Sequence, residues 1–98
     1  MKRLEGRNAV ITGGANGIGL GCALRCVAEG ASVALIDIEQ DALAEACRQI
    51  EEAGGSVSTH AVDCTDRAAV TELIARLRRD SGPIDIVINT VGLRVGEQ

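Results

Sequence analysis

Residues 8–19 read Asn8-Ala9-Val10-Ile11-Thr12-Gly13-Gly14-Ala15-Asn16-Gly17-Ile18-Gly19. Asn8 to Thr12 is a short apolar run with β-branched residues, which predicts a buried strand. A glycine-rich turn follows at once. Gly17 to Glu29 then carries apolar residues at helical spacing, Leu20, Leu24 and Val27, and Gly30 stops it. Strand, glycine turn and helix in direct succession present backbone N–H groups and the positive end of a helix dipole at one point. That is how a phosphate-bearing ligand is held. Glycine suits the turn because side chains would keep such a ligand off the backbone. A turn that only packs helix against strand is the competing reading.

Outward from this stretch the alternation repeats. Ser32 to Asp37 (S-V-A-L-I-D) predicts a second buried strand. Glu39 to Ala53 has helical spacing at Leu43, Ala46, Cys47 and Ile50, and Gly54-Gly55 ends it. Val57 to Asp63 predicts a third, less apolar strand. Asp66 to Asp80 is helical through Val70, Leu73, Ile74 and Leu77, closed by Ser81-Gly82-Pro83. Ile84 to Asn89 (I-D-I-V-I-N) predicts a fourth strand. The order βαβαβαβ implies an α/β fold with a parallel sheet and right-handed crossovers. Near-continuous apolar strands fit a sheet covered on both faces. The expected architecture is a Rossmann-like, doubly wound sheet. It is represented by four strands and is therefore incomplete, with residues 1–98 forming one nucleotide-binding domain.

Composition narrows the function classes. The chain has 98 residues, 46% of them apolar, enough for one small core. Phe, Tyr and Trp are absent, so no aromatic platform exists for single-stranded nucleic acid. The net charge of −4 and the lack of a basic run argue against a nucleic-acid partner. No signal-like or membrane-length apolar run is seen, so a cytoplasmic protein without a membrane partner is expected. Cys22, Cys26, Cys47 and Cys64 form no Cys-x-x-Cys pair, and His60 is the one histidine. Small buried hydrophobes are the better reading of these thiols than a metal site, and no metal is expected. His60 has no obvious partner and reads as structural or solvent-facing.

Asp37 closes the second strand, 18 residues beyond Gly19. A carboxylate there accepts hydrogen bonds from adenosine ribose hydroxyls and repels a 2′-phosphate. Ile38 is apolar and Asn16 is uncharged, so no cation stands ready to neutralise that phosphate. NAD is therefore expected in preference to NADP. The alternative for Asp37 is capping of the next helix.

The generic G-x-G-x-x-G pattern is broken here by Cys22. The spacing that fits is Thr12-Gly13-x-x-x-Gly17-Ile18-Gly19, which resembles the cofactor loop of short-chain dehydrogenases/reductases. Asp37, Asp63-Cys64 and Asn89-Thr90-Val91-Gly92 follow in that family's order, and the resemblance runs from about Leu4 to about Gly92. It implies cofactor contacts from Gly13, Asn16, Gly17, Ile18 and Gly19 at the phosphates. Asp37 and Ile38 would lie at the adenosine ribose. Asp63 and Cys64 would lie at the adenine, although Asp63, Thr65 and Asp66 also suit a turn and helix cap. Asn89 would tie strands together, and Gly92 would let the backbone approach the nicotinamide ribose. Thr90 and Val91 depart from the family's Asn-Asn-Ala-Gly.

The resemblance also implies NAD-dependent hydride transfer between nicotinamide and an alcohol or ketone, catalysed by a Ser, a Tyr and a Lys lying beyond the fourth strand. The sequence has no Tyr, its single Lys is Lys2, and no Ser follows Ser81. No residue here is assigned a catalytic role, and the 98 residues are expected to be inactive alone. A non-catalytic NAD-binding module and an interaction fragment are the alternatives. The fourth strand is expected to form an exposed apolar edge open to self-association.

Overall fold

The computed structural model describes residues 3–15 and 17–90. The elements are β1 (Asn8–Thr12), α1 (Gly17–Ala28), β2 (Ser32–Asp37), α2 (Gln40–Glu52), β3 (Ser56–Ala61), α3 (Arg67–Ser81) and β4 (Ile86–Asn89). The strands form one parallel sheet in the order β3-β2-β1-β4. The α/β, Rossmann-like architecture read from the sequence is therefore the one observed.

Strand periodicity sorts the apolar side chains onto two faces. Ala9, Ile11, Val33 and Leu35 point to the side that α1 and α2 cover through Ala23, Val27, Leu43, Ala46 and Ile50. Val10, Ala34 and Ile36 point to the other side, where Leu73 of α3 meets them. The near-continuous apolar character of β1 and β2 thus has its cause in burial from both faces. Without aromatic residues the core is filled by aliphatic ones. Ile11, Leu35, Ile36, Ile50 and Val10 are its largest fully buried members. β3 is the less apolar strand because it is an edge: Ser56, Ser58 and Thr59 are exposed.

The boundaries differ from the sequence expectation at several ends. β4 begins at Ile86 instead of Ile84. The Asp85 carboxylate accepts from the Asn8 N–H at 2.9 Å, and Ile84 turns into the cluster around Leu73. β3 spans Ser56–Ala61 instead of Val57–Asp63, because Asp63 folds back to accept from the Thr65 N–H and hydroxyl, at 2.9 and 2.7 Å. α1 stops at Ala28, one residue before Glu29, as Gly30 takes φ +98°. Glu39 and Ala53 cap α2 instead of lying inside it.

Asp66 caps α3, its carboxylate accepting from the Ala69 N–H at 3.1 Å. The capping role read for Asp66 is thus observed. Asp66→Ala is expected to cost about 1 kcal/mol. For a domain of this size that lowers Tm by about 4–8 °C, readable by circular dichroism. The charged face of α2 is solvated, with exposed pairs Arg48–Glu52 at i,i+4 and Arg48–Glu45 at i,i+3, and Arg25 of α1 pairs with the half-buried Glu29 just beyond its end. Such pairs contribute little to stability.

Candidate cofactor site

The chain passes from β1 to β2 to β3 on one side, then returns to place β4 on the other side of β1. The strand order therefore reverses at β1, with β2 on one side of it and β4 on the other. A crevice opens at such a reversal. Thr12-Gly13, Asp37-Ile38, Asp63-Cys64 and Asn89-Thr90 all follow carboxyl ends of these parallel strands, so the topology brings them to one edge of the sheet.

Glycine is needed in the turn for two separate reasons. Gly13 and Gly17 have φ of +71° and +58°, a region that side chains disfavour. Gly19, in the first turn of α1, lies so close to the strand exit that a Cβ would stand 2.1 Å from the Gly13 carbonyl oxygen. The turn is held from the β2 side as well. The Gly13 and Gly14 N–H groups both donate to the Ile36 carbonyl, at 2.7 and 3.3 Å.

Asp37 also reaches the turn. Its Oδ2 accepts from the Ala15 N–H at 3.3 Å and its Oδ1 from the Glu39 N–H at 3.1 Å. α2 is capped at Glu39, with no side-chain hydrogen bond. The capping alternative for Asp37 is therefore not what is seen: its carboxylate bridges the glycine turn and the exit of β2. Among the described residues no cation pairs with Asp37.

On the β4 side, the Thr12 hydroxyl, in a residue 7% exposed, donates to Asn89 Oδ1 at 2.9 Å. Asn89 thus ties β4 to β1. The Thr90 hydroxyl lies 2.8 Å from the Thr12 carbonyl and 3.1 Å from that of Gly13. The sequence reading gave Thr12 no role and treated Thr90 only as a departure from a motif. A hydroxyl side chain ending an otherwise apolar strand was the available signal for Thr12. Asn16, Val91 and Gly92 lie outside the described residues.

Asp63 is exposed, and its bonds from Thr65 hold the carboxyl below its ordinary range. The turn role of Asp63 is therefore present in the structure. Cys64 is half-buried, its Sγ 3.9 Å from the carbonyls of Ile36 and Val62, and burial pushes the thiol up. Burial likewise raises the thiol of Cys26. His60 does have a partner, the Ser58 hydroxyl at 3.0 Å on the same face of β3. Burial, with the nearby Arg76, lowers its pKa. Among the described residues no three His, Cys, Asp or Glu side chains gather as a metal site, and no helix is long and apolar enough to cross a membrane. A cavity of about 350 Å³ opens at the opposite, amino-terminal end of the strands, beside Asn8, Ser32, Ser58 and Leu77. It shares no residue with the glycine turn.

The turn fits an anion. α1 has no acidic residue in its first turn, whereas α2 has Asp41 there and α3 is capped by Asp66. The positive end of the α1 dipole is thus left for a ligand. The space around Gly17 is open to at least 4 Å from where a Cβ would sit. Beside it the Asp37 carboxylate is suited to hydroxyl donors.

Parallel order, a glycine turn entering α1 and an acid closing β2 define the class: a Rossmann-type α/β unit. The short chain dehydrogenase family model matches residues 7–98, and the chain belongs to that family. It is 36% identical over 92 residues to 2,3-dihydro-2,3-dihydroxybenzoate dehydrogenase of Bacillus subtilis, covering 94% of this chain and 35% of that protein. It is 40% identical over 91 residues to gluconate 5-dehydrogenase of Gluconobacter oxydans, covering 93% and 36%. The crystal structure of NAD+-bound xylitol dehydrogenase superposes with a TM-score of 0.83 at 34% identity, over 88% of this chain and 33% of that one. A short-chain type dehydrogenase/reductase from Mycobacterium marinum gives 0.80 at 33% identity, over 86% and 34%. The chain spans about a third of the length of the curated relatives it matches.

Proposed function

We propose that residues 1–98 form a dinucleotide-binding domain of a short-chain dehydrogenase/reductase, and that the domain binds NAD in preference to NADP. The observation that carries this reading is the Asp37 carboxylate, bonded to the Ala15 N–H beside an α1 start that holds no acid. In this reading Gly13, Asn16, Gly17, Ile18 and Gly19 take the pyrophosphate. Asp37 accepts from the adenosine ribose, and exposed Ile38 offers it an apolar neighbour. Asp63 and Cys64 flank the adenine, and Asn89 and Gly92 stand on the nicotinamide side. The relative solved with NAD+ bound supports the cofactor class.

Nicotinamide, when bound, would supply a carbon that accepts a hydride from an alcohol carbon of the substrate or gives one to a carbonyl carbon. This chain's residues bind and orient; they include no Tyr, and Lys2 is the one Lys. The 98-residue chain is therefore proposed to bind NAD without turning over an alcohol, and to act in the cytoplasm. Because it lacks aromatic residues, NADH fluorescence can be followed without protein background. Saturable enhancement, displaced by NAD+, is the expected result. No change at any concentration would remove the reading.

A second proposal concerns association. Among the described residues β4 pairs only with β1, and Val87 is 61% exposed. An apolar strand edge of this kind recruits other strands. The chain is expected to be marginally stable and to self-associate through β4. Sedimentation should shift toward monomer in Val87→Lys. A sharp, concentration-independent melt of a wild-type monomer well above about 60 °C would rule this out.

A further inference from the structure

We infer that Thr90 is a positioning residue for the glycine turn, its hydroxyl fixing the Gly13 peptide against which α1 is seated. The inference rests on the reading of this turn as a dinucleotide site. The Gly13 carbonyl oxygen is the pivot. It lies 3.1 Å from Thr90 Oγ1, and it stands 2.1 Å from where a Cβ on Gly19 would be. The same oxygen is thus held from the β4 side and pressed close to the first turn of α1. The N–H of this residue is held from the β2 side by the Ile36 carbonyl at 2.7 Å. Both ends of Gly13 are tethered, at φ +71°, a conformation that only glycine adopts freely.

Thr90 binds this corner in two ways. Its backbone N–H donates to the Thr12 carbonyl at 3.1 Å, continuing the β1–β4 ladder. Its hydroxyl has one hydrogen, shared between the Thr12 and Gly13 carbonyls. The backbone bond survives any substitution except proline, whereas the hydroxyl bond is the side chain's own contribution. Removing the hydroxyl leaves the strand in place but loosens the Gly13–Gly14 peptide, which among the described residues is then held only through the long bond from the Gly14 N–H to the Ile36 carbonyl, at 3.3 Å. The first turn of α1, which is seated on the Gly13 carbonyl oxygen and is proposed to meet the phosphates, then loses its alignment.

Val and Ser separate hydroxyl from shape, since Thr90→Val keeps the branched outline and Thr90→Ser keeps the donor. Two readouts on the 98-residue chain are needed. The first is amide hydrogen exchange of Gly13 and Gly14 by NMR without ligand; the second is NAD+ affinity by calorimetry. Thr90→Val should speed exchange of both amides several-fold and weaken NAD+ about fivefold, the usual scale of one lost hydrogen bond. Thr90→Ser should match wild type in both. Unchanged exchange and affinity in Thr90→Val would overturn the inference, as would a Thr90→Ser as impaired as Thr90→Val. Should Thr90→Val not fold, a Thr90→Ser that exchanges faster than wild type overturns it alone. Should wild type not bind NAD+, the proposed function fails, and the exchange comparison still decides the role of Thr90.

Discussion

Gly19→Ala should destabilise the domain, although alanine is the better helix former. In an exposed helix interior that exchange is worth up to about 1 kcal/mol in favour of alanine. At Gly19 the added carbon would lie 2.1 Å from the Gly13 carbonyl oxygen and 2.8 Å from the Gly14 Cα. Ordinary contacts between such atoms need about 3.5 Å. Both neighbours are backbone, so no side chain can move aside, and α1 must lift from the turn. Overpacking of this kind costs about 1–3 kcal/mol. The expected fall in Tm is about 10 °C. Lifting α1 also withdraws its dipole from the phosphates, and NAD+ affinity should drop at least about tenfold, equivalent to about 1.4 kcal/mol.

Gly21 provides the control. It lies in the same helix, is exposed, and a Cβ there would meet nothing within 4 Å. Gly21→Ala should raise Tm by a few degrees, by up to about 1 kcal/mol of helix propensity. Opposite signs at residues two apart would establish that close approach, and not helix propensity, decides position 19. Equal effects would refute the close packing.

The second large effect belongs to Asp37. Its carboxylate accepts from the Ala15 and Glu39 N–H groups, and in the proposed complex it also accepts from the ribose. Hydrogen bonds to a charged group are worth about 1.5–3 kcal/mol, so Asp37→Ala should weaken NAD+ binding by about 10- to 150-fold. NADP+ should respond oppositely, because the charge that repels its 2′-phosphate is gone. The pair Asp37→Ala with Ile38→Arg should then invert the preference, as Ile38 is 60% exposed and has room for a longer side chain. Asp37→Asn retains an acceptor for a backbone N–H while removing the charge. Loss of NAD+ affinity in Asp37→Asn with an unchanged melt would place the effect on the ligand and not on the fold. Calorimetry with both dinucleotides on each variant reads these outcomes.

The sheet and its two covered faces were legible in the sequence for a clear physical reason. Burial from both sides makes β1 and β2 nearly uniformly apolar, and the intervening helices carry their own period. The glycine turn was legible because positive φ and close approach select glycine so strongly. Strand ends were less so. Asp63 and Asp85 sit at positions where a side chain competes for backbone N–H groups, and no apolar pattern records that competition. In the site, the position of Asp37 was readable, but its bond to Ala15 links residues 22 apart in sequence and follows only from strand pairing. Thr90 shows the same limit. Compared with a motif it is a mismatch; in space its hydroxyl reaches two carbonyls, those of Thr12 and Gly13.

These residues are proposed to hold NAD and to discriminate against its 2′-phosphorylated form. Calorimetric titration of the 98-residue chain with NAD+ and with NADP+, under identical salt, tests this most directly. Saturable NAD+ binding at least about tenfold tighter than NADP+ is expected, a difference of about 1.4 kcal/mol. Equal affinities, or NADP+ the tighter, would contradict the role given to Asp37, and no heat from either would contradict the cofactor site itself.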